Sequence, residues 1–513
     1  MIIKKITRVF AAAALVASVF CSGAEACTGV YVGKAVSSDG SIMLARTEDI
    51  VSDESKRFII HPAEDHEPGT FYKDVYGLKL EYPAHTYRYT AVPGSASRNI
   101  GKAPYGEAGF NELGVAATST ITAYPNAKAA AADPFVKTGL YELSVNDIIL
   151  SRAKTAREGI EIIAGIVDEY GSGEGNIIMT ADKNEAWYME IYTGHQYVAI
   201  KLPDDKAAVI PNAYMLNEVD LGSKDVIASA DIENLPKEKG FRKPKTGTMN
   251  LRETYAEEKK DTNSIRIWGG SRLLNRVMWS DPYKSEYELL FKPTSKISVK
   301  DVMNVCRSRY EGTPYSLDEP GNKYIRAIGT ARQEECHVLQ IRPDMDTASG
   351  CIEWLCMGNA EFVPFVPYYA AAITDIPYMY EVDAPDYDES SAFWNSRGLS
   401  TLCGMNRVLY GNSIKKFFSS YEDDLIKSIE ASDKTMLAAS DKTAAANKLC
   451  YDYAYDSFNK QREMYKKLMR FLARYEGEDE DKNNTCTFEI DMKPEMDDFV
   501  GHATSLPTII TTE

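Results

Sequence analysis

Cys27 has the most chemistry to offer, because of what precedes it. Ala24-Glu25-Ala26 is a small-x-small triplet of the kind at which leader sequences are cut. Upstream, Lys4, Lys5 and Arg8 form a basic start, and Val9 to Cys21 carries no charge. That apolar stretch falls short of the roughly 20 residues a bilayer span requires. It reads as a secretory signal peptide covering residues 1–26. Cutting after Ala26 would make Cys27 the first residue, with a thiol and a free α-amino group on one residue. An α-amino group titrates near pH 7.7–8.0, at about operating pH, so it can take the thiol proton and return it later. The thiolate is then the nucleophile. Two other readings stand beside this one: the anchored cysteine of a lipoprotein, and a structural cysteine that happens to follow the cut. Glu25 suits a lipoprotein signal poorly, and no flexible tether follows.

The elements around Cys27 decide what can reach it. Thr28 to Val36 reads as a strand, Ser38-Asp39-Gly40-Ser41 carries a hairpin signal, and Ile42 to Arg46 returns. The return carries Arg46-Thr47-Glu48-Asp49 toward the Cys27 end. A cation there would favour a thiolate, and a carboxylate could orient an α-ammonium. A two-residue turn, however, pairs Arg46 with Gly33 and Asp49 with Val30. That leaves Asp49 about 10 Å from Cys27, so a bulge, a bend or a different loop has to close the gap. Taken alone, Arg46 and Asp49 also suit a surface ion pair. Further on, Asn176–Ala181, Glu185–Thr193, Gln196–Leu202 and Ala207–Ile210 read as four strands. Asn212 follows the last of them, either as an amide donor at a cleft or as a turn residue after Pro211.

Together these residues resemble the dipeptidase A family of N-terminal nucleophile (Ntn) cysteine hydrolases, relatives of the penicillin V acylases and bile salt hydrolases. The resemblance rests on Cys27-Thr28, Ser38-Asp39-Gly40-Ser41 and Ala45-Arg46-Thr47-Glu48-Asp49. It continues through Gly109-Phe110-Asn111-Glu112-Leu113-Gly114, Trp187 to Ile191, Thr193-Gly194-His195 and Pro211-Asn212. Arg266-Ile267-Trp268, Tyr310-Glu311-Gly312-Thr313, His337 to Gln340 and Ser391 to Trp394 complete it. It implies an α+β fold, a four-layer αββα sandwich. It implies Cys27 as nucleophile and base, Arg46 beside the thiol, Asp49 on the amino group and Asn212 as oxyanion donor. A second site arginine is implied without a choice between Arg266 and Arg272, and a second oxyanion donor is expected around Thr118 to Thr120. His195 and His337 read as structural. The implied activity is hydrolysis of dipeptides through a thioester, with no metal or cofactor. An N-acyl amide hydrolase on the same site is the alternative. A peptide-binding surface lipoprotein without chemistry is the alternative of another class.

The whole chain agrees with that direction and narrows it little. It has 513 residues, and Asp plus Glu outnumber Lys plus Arg by 75 to 58, which speaks against a nucleic-acid partner. The leader holds three basic residues and one acidic, so its loss takes the net charge from −17 to −19. No His-Glu-x-x-His, Cys-x-x-Cys, Gly-x-Ser-x-Gly or phosphate-loop motif occurs. No later stretch suggests a membrane span, so a periplasmic or extracellular protein is expected. Residues 27–404 read as the catalytic domain and 405–513 as a helical extension. In the extension Ala454, Phe458, Tyr465, Leu468, Met469 and Leu472 recur at helical spacing, and Gly477 is the expected stop before an acidic loop. That apolar stripe serves equally as a packing face or as a subunit contact in a homo-oligomer. Residues 218–262 suggest a surface insertion. Cys306, Cys336, Cys351, Cys356, Cys403, Cys450 and Cys486 are expected to be mainly buried thiols. Intact-mass measurement of the exported protein is expected to give a chain beginning at an unmodified Cys27; a lipidated or internal Cys27 removes the proposed base.

Overall fold

The computed structural model describes residues 27–50, 55–94, 106–119, 121–275, 281–284, 286–480, 487–488 and 490. The expected leader and Cys486 lie outside these residues. Two six-stranded antiparallel sheets organise the chain. The first contains β1 (Thr28–Val32), β2 (Ile42–Asp49), β8 (Ala207–Ile210), β10 (Gln333–Ile341), β11 (Cys351–Met357) and β12 (Val366–Tyr368), in the order β8-β1-β2-β10-β11-β12. The second contains β3 (Ala108–Phe110), β4 (Ala116–Ser119), β5 (Asn176–Ala181), β6 (Ala186–Ile191), β7 (Tyr197–Leu202) and β9 (Val226–Ala228), in the order β9-β7-β6-β5-β4-β3.

β2 touches β4 and β5 of the other sheet, so the sheets face each other there. Helices α1 (Glu142–Arg152) and α2 (Ala156–Tyr170) lie on the second sheet. Helices α3 (Asp261–Asn275) and α4 (Val299–Cys306) lie on the first. α2 shows how the sequence builds these layers. Thr155 caps it by accepting from the Glu158 amide, and Ile160, Ile163, Ala164 and Val167 recur on the buried face. Gly171 ends it at φ 74°, a left-handed conformation that glycine adopts without penalty.

The placement of β2 decides the rest. Every residue of β1 and β2 is buried. The first half of β2, Ile-Met-Leu-Ala, belongs in such a position. Its second half, Arg-Thr-Glu-Asp, does not, unless each polar group finds a partner. The register that delivers it differs from the two-residue hairpin. β1 ends at Val32 and the connection runs through residues 33–41, so Gly29 faces Arg46 and Thr28 faces Thr47. The Asp39 carboxylate organises the loop by accepting from Ser37 Oγ, the Ser41 amide and Ser41 Oγ. The longer loop slides β2 toward Cys27 and closes the gap left by the shorter turn.

Other expectations are corrected by packing. Ala207–Ile210 does not continue the meander of the second sheet; it pairs with β1 in the first. The segment 218–262 is anchored by Ile232, Phe241, Met249, Leu251 and Tyr255, all buried in the core. At the C-terminal end, α5 (Ala392–Met405), α6 (Asn412–Ala438) and α7 (Lys442–Glu480) pack on one another, with α6 and α7 also meeting β12. Gly477 does not stop α7, which runs on through the acidic residues to Glu480. Cα477 has no neighbour for a side chain to meet, so helical continuity costs nothing in packing there. Met469 is exposed, whereas Ala454, Phe458 and Leu468 are buried. Cys27, Cys306, Cys336, Cys351, Cys356, Cys403 and Cys450 are free and buried. Among the described residues, no helix is long and apolar enough to cross a membrane.

Close approach of α3 to the first sheet depends on small residues. A Cβ at Gly270 would stand 2.8 Å from one Val209 methyl and 3.2 Å from Val305. Gly270→Val is therefore expected to lower stability by about 1–3 kcal/mol, read from urea denaturation. An unchanged midpoint would show that α3 can move off β8 freely.

Candidate active site

Cys27 is 3% exposed and is met from three sides. From β2, Arg46 Nη2 reaches its sulfur at 3.4 Å, and the Asp49 backbone amide faces the same sulfur. From α3, Arg266 Nη1 donates to the Cys27 carbonyl oxygen and, at 3.0 Å, to Thr28 Oγ1. Burial pushes the Cys27 thiol up to about 11, with Arg46 pulling the other way and the Asp49 carboxylate adding to the rise. A thiol in that state is a poor nucleophile near neutral pH until a base takes its proton.

Arg266, and not Arg272, is the arginine at this site. Its second nitrogen, Nη2, donates to Asn212 Oδ1 at 2.9 Å and to Asn263 Oδ1 at 2.7 Å. Asn263 Nδ2 in turn donates to the Asn212 carbonyl at 2.9 Å. Arg272 instead lies over the Trp268 ring and donates to the Glu311 carbonyl. Asn212 is thus held at its side-chain oxygen and its backbone oxygen. Its Nδ2 is buried and makes no hydrogen bond among the described residues. A buried amide donor without a partner costs free energy, and it is the feature an anionic oxygen would satisfy.

Asp49 shows the same pattern. Its Oδ2 accepts from Arg326 at 2.5 Å and from Thr47 Oγ1 at 3.3 Å, whereas Oδ1 is buried and unpaired among the described residues. Burial raises the Asp49 carboxyl above its ordinary range, with Arg326 opposing. A cation at Oδ1 would oppose that rise further. Thr118, in the region expected to hold a second oxyanion donor, bonds His337 Nε2 through its hydroxyl at 2.9 Å. That bond makes His337 a bridge between the sheets, while its Nδ1 meets Glu335 of its own strand. His195 meets Asp133 at 2.9 Å, on a different part of the surface. Neither histidine touches Cys27.

Several partners escape a reading of the sequence. Arg326 comes from an irregular segment without periodicity. Asn263 lies three residues before Arg266, on the same face of α3, and that spacing is the signal that could have found it. Glu107 and Lys56, which meet Arg46 and Glu48 in the interior, look in sequence like ordinary surface charges. A cavity of about 460 Å³ lies beside the site, lined by Tyr124, Ala213, Tyr214, Asn263, Ile267 and Tyr287 among others.

Comparison with known proteins points the same way. The profile of peptidase family C69 matches residues 26–419. A probable dipeptidase B of Streptococcus pyogenes serotype M1 is 34% identical over 469 residues, covering 87% of this chain and 93% of that protein. A probable dipeptidase of Latilactobacillus sakei is 33% identical over 429 residues, covering 82% and 88%. Among solved structures, penicillin V acylase from Agrobacterium tumefaciens aligns at 14% identity and a TM-score of 0.32, over 67% of this chain and 84% of that one.

Removing the unpaired amide tests its role. Asn212→Ala is expected to lower the turnover rate by about 10²–10³-fold while the protein stays folded by circular dichroism. A fall of less than threefold would assign Nδ2 no part in the chemistry.

Proposed function

The chain belongs to peptidase family C69, and on that premise we propose that it is an exported cysteine dipeptidase whose nucleophile and base both belong to Cys27. The observation that carries the proposal is the convergence on one residue. Arg46 lies at the Cys27 sulfur, Arg266 at its carbonyl oxygen, and Arg266 also holds Asn212, whose amide nitrogen has no partner among the described residues. The names of the relatives support peptide bonds as the target.

The chemistry follows from those positions. Once the leader is removed, the α-amino group of Cys27 takes the Sγ proton, and the resulting ammonium is held by Asp49 through its unpaired Oδ1. Arg46 stabilises the thiolate, which attacks the peptide carbonyl carbon. The developing oxyanion rests on Asn212 Nδ2. The ammonium then gives its proton to the leaving nitrogen; the C–N bond breaks, one amino acid departs and a thioester stays on Cys27. Water, deprotonated by the α-amino group, attacks that thioester; the C–S bond breaks, the second amino acid departs, and the ammonium returns its proton to Sγ. No metal or cofactor enters these steps. The neighbouring cavity has room for a substrate side chain.

The rest of the reading is of one piece with this. The two sheets and their flanking helices form the four-layer αββα sandwich of an Ntn hydrolase. Residues 27–404 are its catalytic domain, and residues 405–513 are an extension, of which α6 and α7 pack against it. Residues 1–26 are the export signal, which places the enzyme in the periplasm or outside the cell.

Cys27→Ser is expected to abolish dipeptide hydrolysis (a loss of at least about 10³-fold) with the fold retained. Unmodified enzyme is expected to favour free dipeptides over penicillin- or bile-conjugate-type amides. A preference for the amides would move the substrate class and keep the nucleophile. Unchanged turnover in Cys27→Ser would sink both.

A further inference from the structure

Arg46 and three further charged side chains are enclosed together with almost no contact with water. Arg46, Glu48, Lys56 and Glu107 are each 0–2% exposed. Arg46 Nη1 donates to Glu107 Oε2 at 2.5 Å. Lys56 Nζ donates to Glu107 Oε1 at 3.2 Å and to Glu48 Oε1 at 2.6 Å. Glu107 thus uses one oxygen for each cation. Its own backbone is fixed from α1, where Asn146 Nδ2 donates to the carbonyls of Gly106 and Glu107 at 2.9 and 2.5 Å. Just beyond it β3 begins, and a Cβ at Gly109 would stand 1.9 Å from the Thr90 carbonyl oxygen, so the strand is held tightly against its neighbour.

We propose that Glu107 is a positioning residue for the Cys27 reaction: it fixes the Arg46 fork so that one nitrogen faces the sulfur, and Lys56 fixes Glu107 in turn. The proposal rests on the assignment of Cys27 as nucleophile and adds to it a cause for the arginine's aim. A guanidinium on a flexible stem has many rotamers, and in a buried strand the carboxylate at Nη1 favours the one that presents Nη2 to Sγ.

The protonation pattern fits that arrangement. Burial acts to raise Glu107, yet Lys56 and Arg46 together hold it well below the usual carboxylate range. Burial and the Glu107 charge push Glu48 well up. Glu107 is therefore the ionised member of the pair and the anion shared by both cations. Among the described residues, Glu142 faces the cluster toward Arg46 and Cys27, Glu334 faces Lys56 and Glu48, and on β10 His337 and Glu335 stand opposite Arg46 and Glu48. Asp49 and Arg266 face Cys27 from the remaining sides.

Two effects of removing the Glu107 charge have opposite signs, and that separates positioning from bulk electrostatics. Deleting an anion near a thiol by itself makes the thiolate easier to form, so the pH midpoint of alkylation falls. Releasing Arg46 from its aim makes the thiolate harder to form, so the midpoint rises.

The test uses the leaderless chain with free Cys27. The rate of iodoacetamide alkylation of Cys27 is followed against pH in unmodified enzyme, Glu107→Gln, Glu107→Asp, Arg46→Ala and the Glu107→Gln/Arg46→Ala double variant. Dipeptide kcat and KM are measured beside it. The expected result for Glu107→Gln is a raised alkylation midpoint and a kcat lower by about a hundredfold, with KM within a factor of about three. Added to Arg46→Ala, the same change is expected to have no further effect on kcat, because Glu107 acts through Arg46. Glu107→Asp retains the charge on a shorter stem. It keeps the cluster neutralised should Glu107→Gln not fold, and it is expected to lower kcat with a raised midpoint. A lowered or unchanged midpoint in whichever variant folds, or additive losses in the double variant, overturns the proposal. Cys27→Ala is the control for the underlying reading: dipeptide turnover persisting in that variant condemns the nucleophile, whereas an inactive Cys27→Ala beside a normal Glu107→Gln condemns only the positioning role.

Discussion

Arg46 carries its guanidinium into a place that water does not reach, and most of the site can be understood as the consequence. A buried cation is tolerable only with an anion beside it, and losing one partner of such a pair typically costs about 3–5 kcal/mol. Arg46 has the Glu107 carboxylate at one nitrogen and the Cys27 sulfur at the other. Glu107 also serves Lys56, which donates to Glu48 as well. The polar half of β2 is therefore compatible with the middle of a sheet only because a second layer supplies matching charges. The strand that brings the chemistry also brings the electrostatic debt, and residues far away in sequence settle it.

The same logic separates groups that are satisfied from groups that await something. Arg266 is fully engaged with Cys27, Thr28, Asn212 and Asn263. Asn212 Nδ2 and Asp49 Oδ1 are not paired among the described residues, although both are buried. A donor joined to Cys27 through Arg266 matches an oxyanion, and a carboxylate oxygen without a partner there matches an ammonium. Those are the two charges the proposed reaction generates, one on the substrate and one on the enzyme's own amino group. Burial of the thiol, which pushes it up to about 11, explains why such a reaction needs a base at hand.

How much of this could be read from the sequence follows from chain distance. Cys27, Arg46 and Asp49 lie on one hairpin, so local pattern brings them together; Asn212 is singled out by the family resemblance, and the turn signals around its strand agree with it. The register was not legible, because it depends on the loop around Asp39, a length no hairpin rule supplies. Ala207–Ile210 looked like the last strand of a meander; its pairing with β1 is a tertiary choice that alternation does not encode. Arg266 could not be separated from Arg272 until the pitch of α3 placed one over Cys27 and the other over Trp268. Glu107 and Lys56 were invisible for a plainer reason: nothing in a charged residue's immediate neighbours says that it will be enclosed. Gly477 misled because one glycine costs a helix only about 1 kcal/mol, too little to end it.

The central claim is that the base is the α-amino group of Cys27, created by removing the leader. The most direct measurement compares dipeptide turnover by two purified chains, one beginning at Cys27 and one retaining Ala26 before it. Residue 27 keeps its thiol in both, but in the second its nitrogen is an amide and cannot accept the proton. The account predicts normal turnover in the first and a loss of at least about 10²–10⁴-fold in the second, the usual contribution of a positioned general base. Equal turnover by the two chains would contradict it.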